Sequence, residues 1–264
     1  MNVIAIMNLK GGVAKTVTAV NLAADLAELH NQRVLLIDAD SQANCTEFFG
    51  VTNEFGSLTT LLRLEDRSLQ HLVDVADEAI IPTKINRLRI LPADDGLMAL
   101  DLSMVSSQAI FTSCLRNLLR HPAVASCWDT VLIDCPPAFN ASAASALLAA
   151  NYVMIPIKLD AFSLRGMGNL TRQIRNMQEI NNELQVLGLL PTMWYASEQI
   201  KAAEKMLRLS DLPVLPHIRR SVMVDNMTFA QAPLLMSSPK SGACKDYKIL
   251  AARIANMGGG NANV

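Results

Sequence analysis

Two lysines, two adjacent glycines and a threonine fall together in Lys10-Gly11-Gly12-Val13-Ala14-Lys15-Thr16, close to the start of a 264-residue chain. A lysine followed by a hydroxyl residue suits phosphate chemistry. Lys15 would reach terminal phosphates, and the Thr16 hydroxyl would ligate Mg²⁺. Glycines let backbone amides approach phosphate oxygens closely. Two further stretches carry carboxylates: Asp38-Ala39-Asp40-Ser41-Gln42, and Asp134 followed by Cys135-Pro136-Pro137. A carboxylate ending an apolar strand can hold Mg²⁺ directly or through water, which is the part expected of Asp134.

The elements around these residues are legible as periodicities. Asn2 to Met7 is an apolar run of strand length, and Val20, Leu22, Ala23, Leu26, Ala27 and Leu29 recur at helical spacing. The glycine loop therefore joins a buried strand to a helix N-terminus, where unpaired N–H groups and the helix dipole favour an anion. Arg33 to Asp38 and Thr130 to Asp134 read as buried strands ending in acids. In open α/β sheets ligands bind at that end of the strands. Taken alone, Asp38 and Asp40 are better explained as caps of the following helix.

Further strands are expected over 88–92, 152–157 and 186–190. Helices are expected over 97–119, with a break near Ser106-Ser107, and over 141–150, 164–180 and 197–209. Residues 45–86 read as short helices and loops covering a sheet edge. The fold class implied is α/β: a single-domain P-loop NTPase with a mostly parallel twisted sheet flanked by helices on both faces. Residues 1–257 would form the domain and the Gly/Asn-rich residues 258–264 a flexible C-terminal tail.

Composition narrows the alternatives. With 51% hydrophobic residues the chain can bury a sizeable core, and a net charge of −1 points to no polyanion globally. Five scattered cysteines without a C-x-x-C pair read as reduced thiols of a cytoplasmic protein. The first strand begins at once, leaving no room for a signal peptide, and no apolar run reaches transmembrane length.

The loop lacks the two glycines of the ordinary G-x-x-x-x-G-K-[ST] pattern, having Leu9 and Ala14 there, and carries the extra Lys10 instead. With the D-x-D-x-Q segment and the strand ending in Asp134, this deviant Walker A box resembles the ParA/Soj-type partition ATPases of the ParA/MinD superfamily over nearly the whole chain. The resemblance implies ATP and Mg as cofactors. It makes Lys10, Gly11, Gly12, Val13, Ala14, Lys15, Thr16 and Val17 nucleotide-binding. Lys10 would cross a dimer interface to the partner's nucleotide, Asp40 would position the attacking water, and Asp38 would lie near the Mg²⁺ shell. Pro216 and Ile218 fall in the segment whose backbone lies by the adenine in the family. Ala14 is tolerable there with helical dihedrals and strained at positive φ. Val17 replaces a threonine common in the family, removing one hydroxyl from the α-phosphate.

The partners implied are a second copy on ATP binding, non-specific DNA of the nucleoid, and a ParB-like centromere-binding protein, with no membrane. From Lys158 to Arg220 there are nine Lys/Arg against six Asp/Glu, an excess that alone reads as solvated helix faces. The resemblance raises Lys201, Arg208, Arg219 and Arg220 to DNA-binding candidates. Three other readings stay in view. A nucleotide-gated DNA-binding regulator with little hydrolysis is kept open by Ala14 and Val17. A Min-type membrane ATPase would need a C-terminal amphipathic helix. An iron–sulfur carrier would need cysteines at the dimer axis, for which Cys135, beside Pro136-Pro137, is suggestive but has no C-x-x-C partner.

Overall fold

In the computed structural model, residues 1–103 and 112–258 are described. The chain runs β1 (Asn2–Ile6), α1 (Lys15–His30), β2 (Val34–Asp38), α2 (Asn44–Phe48), α3 (Leu58–Leu62), α4 (Leu69–Ala79), β3 (Ile81–Pro82) and β4 (Leu88–Leu91). It continues with α5 (Gly96–Ser103), α6 (Cys114–Arg120), α7 (Pro122–Ala125), β5 (Thr130–Asp134), α8 (Ala141–Ala149), β6 (Tyr152–Lys158), α9 (Ala161–Ile180) and β7 (Gln185–Thr192). The last elements are α10 (Glu198–Arg208), α11 (Val222–Ala230), α12 (Leu234–Ser237) and α13 (Gly242–Ala255).

The seven strands form one sheet in the order β3-β4-β2-β5-β1-β6-β7. Every pairing is parallel except β3 with β4. Strand alternation assigns side chains to two cores. Val3, Ala5, Leu35 and Ile37 face the layer containing α3, α4, α6 and α8. Ile4, Ile6, Val34 and Leu36 face α1 and α13. The central strands are buried on both faces, which is why they read as continuous apolar runs rather than alternating ones.

The expected α/β architecture with helices on both faces is therefore what the chain adopts. Three local readings differ. The 45–86 stretch holds the antiparallel edge strand β3, only two residues long and containing Pro82, so no period of two could develop. The 97–119 helix is two helices, Gly96–Ser103 and Cys114–Arg120. The expected break at Ser106-Ser107 lies outside the described residues. A short 3₁₀ turn, Asn256–Gly258, extends order by one residue into the expected tail, whose remainder lies outside the described residues. All five cysteines are free.

Candidate phosphate and metal site

Between β1 and α1 the loop is tied down from several sides. Asn8 Nδ2 donates to the Pro156 carbonyl at 2.7 Å, and Asn8 Oδ1 accepts from the Lys10 amide at 3.0 Å. Thr192 Oγ1, at the end of β7, donates to the Val13 carbonyl at 3.1 Å. Gly12 turns the chain at φ 69°, in the left-handed region glycine enters freely. Ala14 is also left-handed, at φ 67° and ψ 35°, and its carbonyl accepts the first helical bond, from the Thr18 amide at 3.0 Å.

The strained alternative for Ala14 is thus the one realised. A left-handed non-glycine residue costs roughly 1–2 kcal/mol, and glycine's larger unfolded-state entropy takes back about 0.5–1 kcal/mol. Ala14→Gly should therefore stabilise the protein by about 0.5–1 kcal/mol in denaturant unfolding. A less stable variant would contradict the strain.

Lys15 is 7% exposed, and its ammonium donates to the Lys10 carbonyl at 3.3 Å. Burial pushes its pKa below the ordinary value, while Asp134 and Asp40 pull it back up. Thr16 Oγ1 donates to Asp134 Oδ2 at 2.7 Å. That bond joins the loop to the end of β5, 118 residues away. Asp134 is fully buried and its other oxygen, Oδ1, has no hydrogen-bond partner. Burial, with Asp38 beside it, lifts its pKa to about 7. A hydroxyl and a buried carboxylate with a spare oxygen make a hard-donor set, which fits Mg²⁺. Thr16 and Asp134, both expected to hold the metal, are brought within hydrogen-bond distance of each other.

Asp38 is the register partner of Asp134 across β2 and β5, and it also holds the turn that follows β2. Oδ2 accepts from the Thr46 amide at 2.9 Å and the Thr46 hydroxyl at 2.8 Å, and Oδ1 accepts from the Asp40 amide at 3.3 Å. Asp38 thus stands next to Asp134 at the strand ends, where it is expected near the Mg²⁺ shell. Its oxygens are taken up in holding the turn after β2, and Thr46 Oγ1 carries the chain of bonds on to the Ala93 amide at 3.0 Å. Asp40 is in place beside it, accepting from the Gln42 amide at 3.1 Å.

Lys10 bonds both carboxylate oxygens of Asp160 at 3.0 Å, within its own chain. Val17 lines a cavity of about 280 Å³ against α1, shared with Thr16, Val20, Asn44, Glu47, Phe48, Met227, Thr228 and Gln231. Pro216 and Ile218 are not among the residues of that cavity. Ile218 is buried in the core, its amide bonded to the Pro191 carbonyl at 2.8 Å. Pro216 lines a separate groove with Glu204, Arg208 and Asp246. Sequence reasoning missed Asn8, Asp160 and Thr192, whose partners lie 148, 150 and 179 residues away, and Thr46, which belongs to no motif although its partner Asp38 is only 8 residues before it.

Three of the four DNA candidates are ion-paired: Lys201 with Glu198 at 3.0 Å, Arg208 with Glu204 at 2.7 Å, and Arg219 with Asp246 at 2.7 Å. Arg220 makes no ion pair among the described residues. Arg219 grips the buried Asp246 with Nε and a terminal nitrogen, against Gly242, where a Cβ would collide with the arginine. Arg219→Ala leaves that carboxylate without its guanidinium and should cost on the order of 1–3 kcal/mol in unfolding measurements. Arg220→Ala should leave stability within about 0.5 kcal/mol of wild type. Equal effects of the two would contradict the assignment.

A strand, a glycine loop and a helix N-terminus, with the loop threonine on a strand-end aspartate, define a P-loop nucleotide hydrolase. The model of a family described as AAA domain matches residues 1–186. The chain is 31% identical to the sporulation initiation inhibitor protein Soj of Bacillus subtilis, over 97% of this chain and 99% of that one. It is 32% identical to the chromosome partitioning protein ParA of Caulobacter vibrioides, over 96% and 94% of the two chains. The structure of cobyrinic acid a,c-diamide synthase from Mycobacterium smegmatis, with bound ATP analog and magnesium, superposes with a TM-score of 0.79. That protein is 28% identical, over 97% of this chain and 94% of its own. The chain belongs to the ParA family of P-loop ATPases.

Proposed function

We propose that this chain is a DNA-partition ATPase, which pairs with a second copy on binding ATP and Mg²⁺ and then binds DNA without sequence preference. Hydrolysis, stimulated by a ParB-like partner, resets it. The observation that carries this reading is the Thr16–Asp134 bond beneath the lysine-flanked loop. It places a hydroxyl, a spare carboxylate oxygen and the buried Lys15 at one helix N-terminus.

The residues divide the work. Lys15 and the loop amides would hold the phosphates, and Thr16 and Asp134 would hold Mg²⁺, which when bound would supply positive charge to the phosphoryl oxygens. Asp40 orients the water. Asp38, through Thr46, keeps that turn in register. Lys10 exchanges Asp160 for the nucleotide of the second copy. No helix among the described residues is long and apolar enough to cross a membrane. The reading places the protein in the cytoplasm, on the nucleoid.

Lys10→Ala should keep ATP binding by one chain but lose ATP-driven pairing, as measured by light scattering with ATP and with ADP. A variant that pairs and turns over like wild type would contradict the crossing role. A second reading, a nucleotide-gated DNA-binding regulator that barely hydrolyses ATP, is favoured by the left-handed Ala14 and by Val17. Turnover measured with and without duplex DNA separates the two. DNA-stimulated hydrolysis supports the partition cycle, and turnover that stays at background in both supports the regulator.

A further inference from the structure

At the opposite end of the sheet from the phosphate loop, where the parallel strands begin, a groove of about 900 Å³ opens between α4 and the turns that precede β2, β4 and β5. Its floor is apolar: Ile80, Leu88 and Leu118 are buried, and Trp128 and Val124 are half-buried. The charges on its walls are sorted by sign. Exposed Asp74, Asp77 and Glu78 line the α4 side. Arg33, Arg87 and Arg89 line the other.

Both walls are arranged at a cost within the single chain. Asp74, Asp77 and Glu78 are spaced i, i+3 and i+4, so like charges share one helix face. They also occupy the last turns of α4, where the helix dipole disfavours anions, and no basic residue accompanies them in its last turn. Arg33 is matched to Asp129 at 2.7 Å, but Arg87 and Arg89 make no ion pair among the described residues. Arg87 holds a left-handed backbone at φ 64°, an unfavourable conformation for arginine.

With acids and arginines balanced, the patch suits neither nucleic acid nor a polycation. It suits a partner presenting both signs in the reverse order. The patch is itself such a partner. Under a two-fold axis the α4 ridge of each copy enters the other's groove, and each acidic wall meets the other's arginines, as an isologous contact requires. We propose that this groove is a second self-association face, independent of nucleotide and distinct from the ATP-dependent pairing at the other end of the strands. Contacts at both ends of the molecule would link ATP-paired dimers into longer assemblies.

The test uses nucleotide-free protein, so the ATP-dependent pairing does not contribute. Sedimentation velocity over a concentration series should show the mass rising toward two copies in low salt and returning to one on adding salt. Asp77→Arg with Glu78→Arg, and Arg87→Glu with Arg89→Glu, should each weaken association at least about tenfold, and their equimolar mixture should restore it. The milder Asp77→Asn with Glu78→Gln should weaken it less, and serves if a reversed variant fails to fold. ATP turnover should be unchanged in all of them. A wild type that stays monomeric in low salt, variants that associate like wild type, or a folded mixture that stays monomeric would each overturn the proposal.

Discussion

Lys15→Ala should lose at least about a hundredfold in ATP affinity, or about 2.8 kcal/mol at 1.4 kcal/mol per tenfold. The side chain is almost fully buried at the helix start, with its charge opposed to Asp134 and Asp40. Under the proposed function, removing it deletes the cation that would face the β- and γ-phosphates and leaves the charges of Asp134 and Asp40 unopposed beside the loop. Burial makes the loss larger than at a surface site, since water cannot replace the ammonium. The loop itself should survive, because Asn8 and Thr192 hold it through bonds that do not involve Lys15. Calorimetry with Mg-ATP checks this, and an affinity within a few-fold of wild type would remove the loop from nucleotide binding.

Asp40→Ala should separate binding from chemistry. The carboxylate is nearly buried, and its observed bond is to the Gln42 amide, so it is available to orient a water. A positioned base or water-orienting group contributes roughly 10²–10⁴-fold to rate. The variant should therefore bind ATP and pair normally while kcat falls about a hundredfold or more with KM little changed, the signature of a contact made in the transition state. It should also remain on DNA after wild type has released. Hydrolysis at the wild-type rate would leave Asp40 as no more than a turn-forming residue.

What the sequence made legible follows the range of the interactions. β1, β2 and β5 are apolar runs closed by a loop or an aspartate, so their ends and their chemistry read together. Thr16 and Asp134 could be assigned to one metal because each belongs to a motif, although 118 residues separate them. Asp160 belongs to no motif, and its grip on Lys10 spans 150 residues. Nothing local announces it. Asp38 also holds the turn after β2 through the Thr46 amide and hydroxyl, which its position at a strand end does not announce. α11 escaped because its apolar residues do not form a single stripe: Met227 is buried against α1, whereas Phe229 is 91% exposed. Among the basic residues, counting signs could not reveal pairing. The Arg208–Glu204 spacing of i, i+4 was visible in principle, but the Arg219–Asp246 pair, 27 residues apart, was not.

Under the proposed function, nucleotide state controls DNA binding. This is tested most directly by fluorescence anisotropy on two unrelated duplexes, with no nucleotide, ADP, ATP and a non-hydrolysable ATP analogue, each across a salt series. Binding to both duplexes should be tight with ATP and the analogue and weak with ADP or no nucleotide, and the affinity should fall steeply as salt rises because phosphate contacts dominate. Equal binding in all four states, or a strong preference for one duplex, would contradict it.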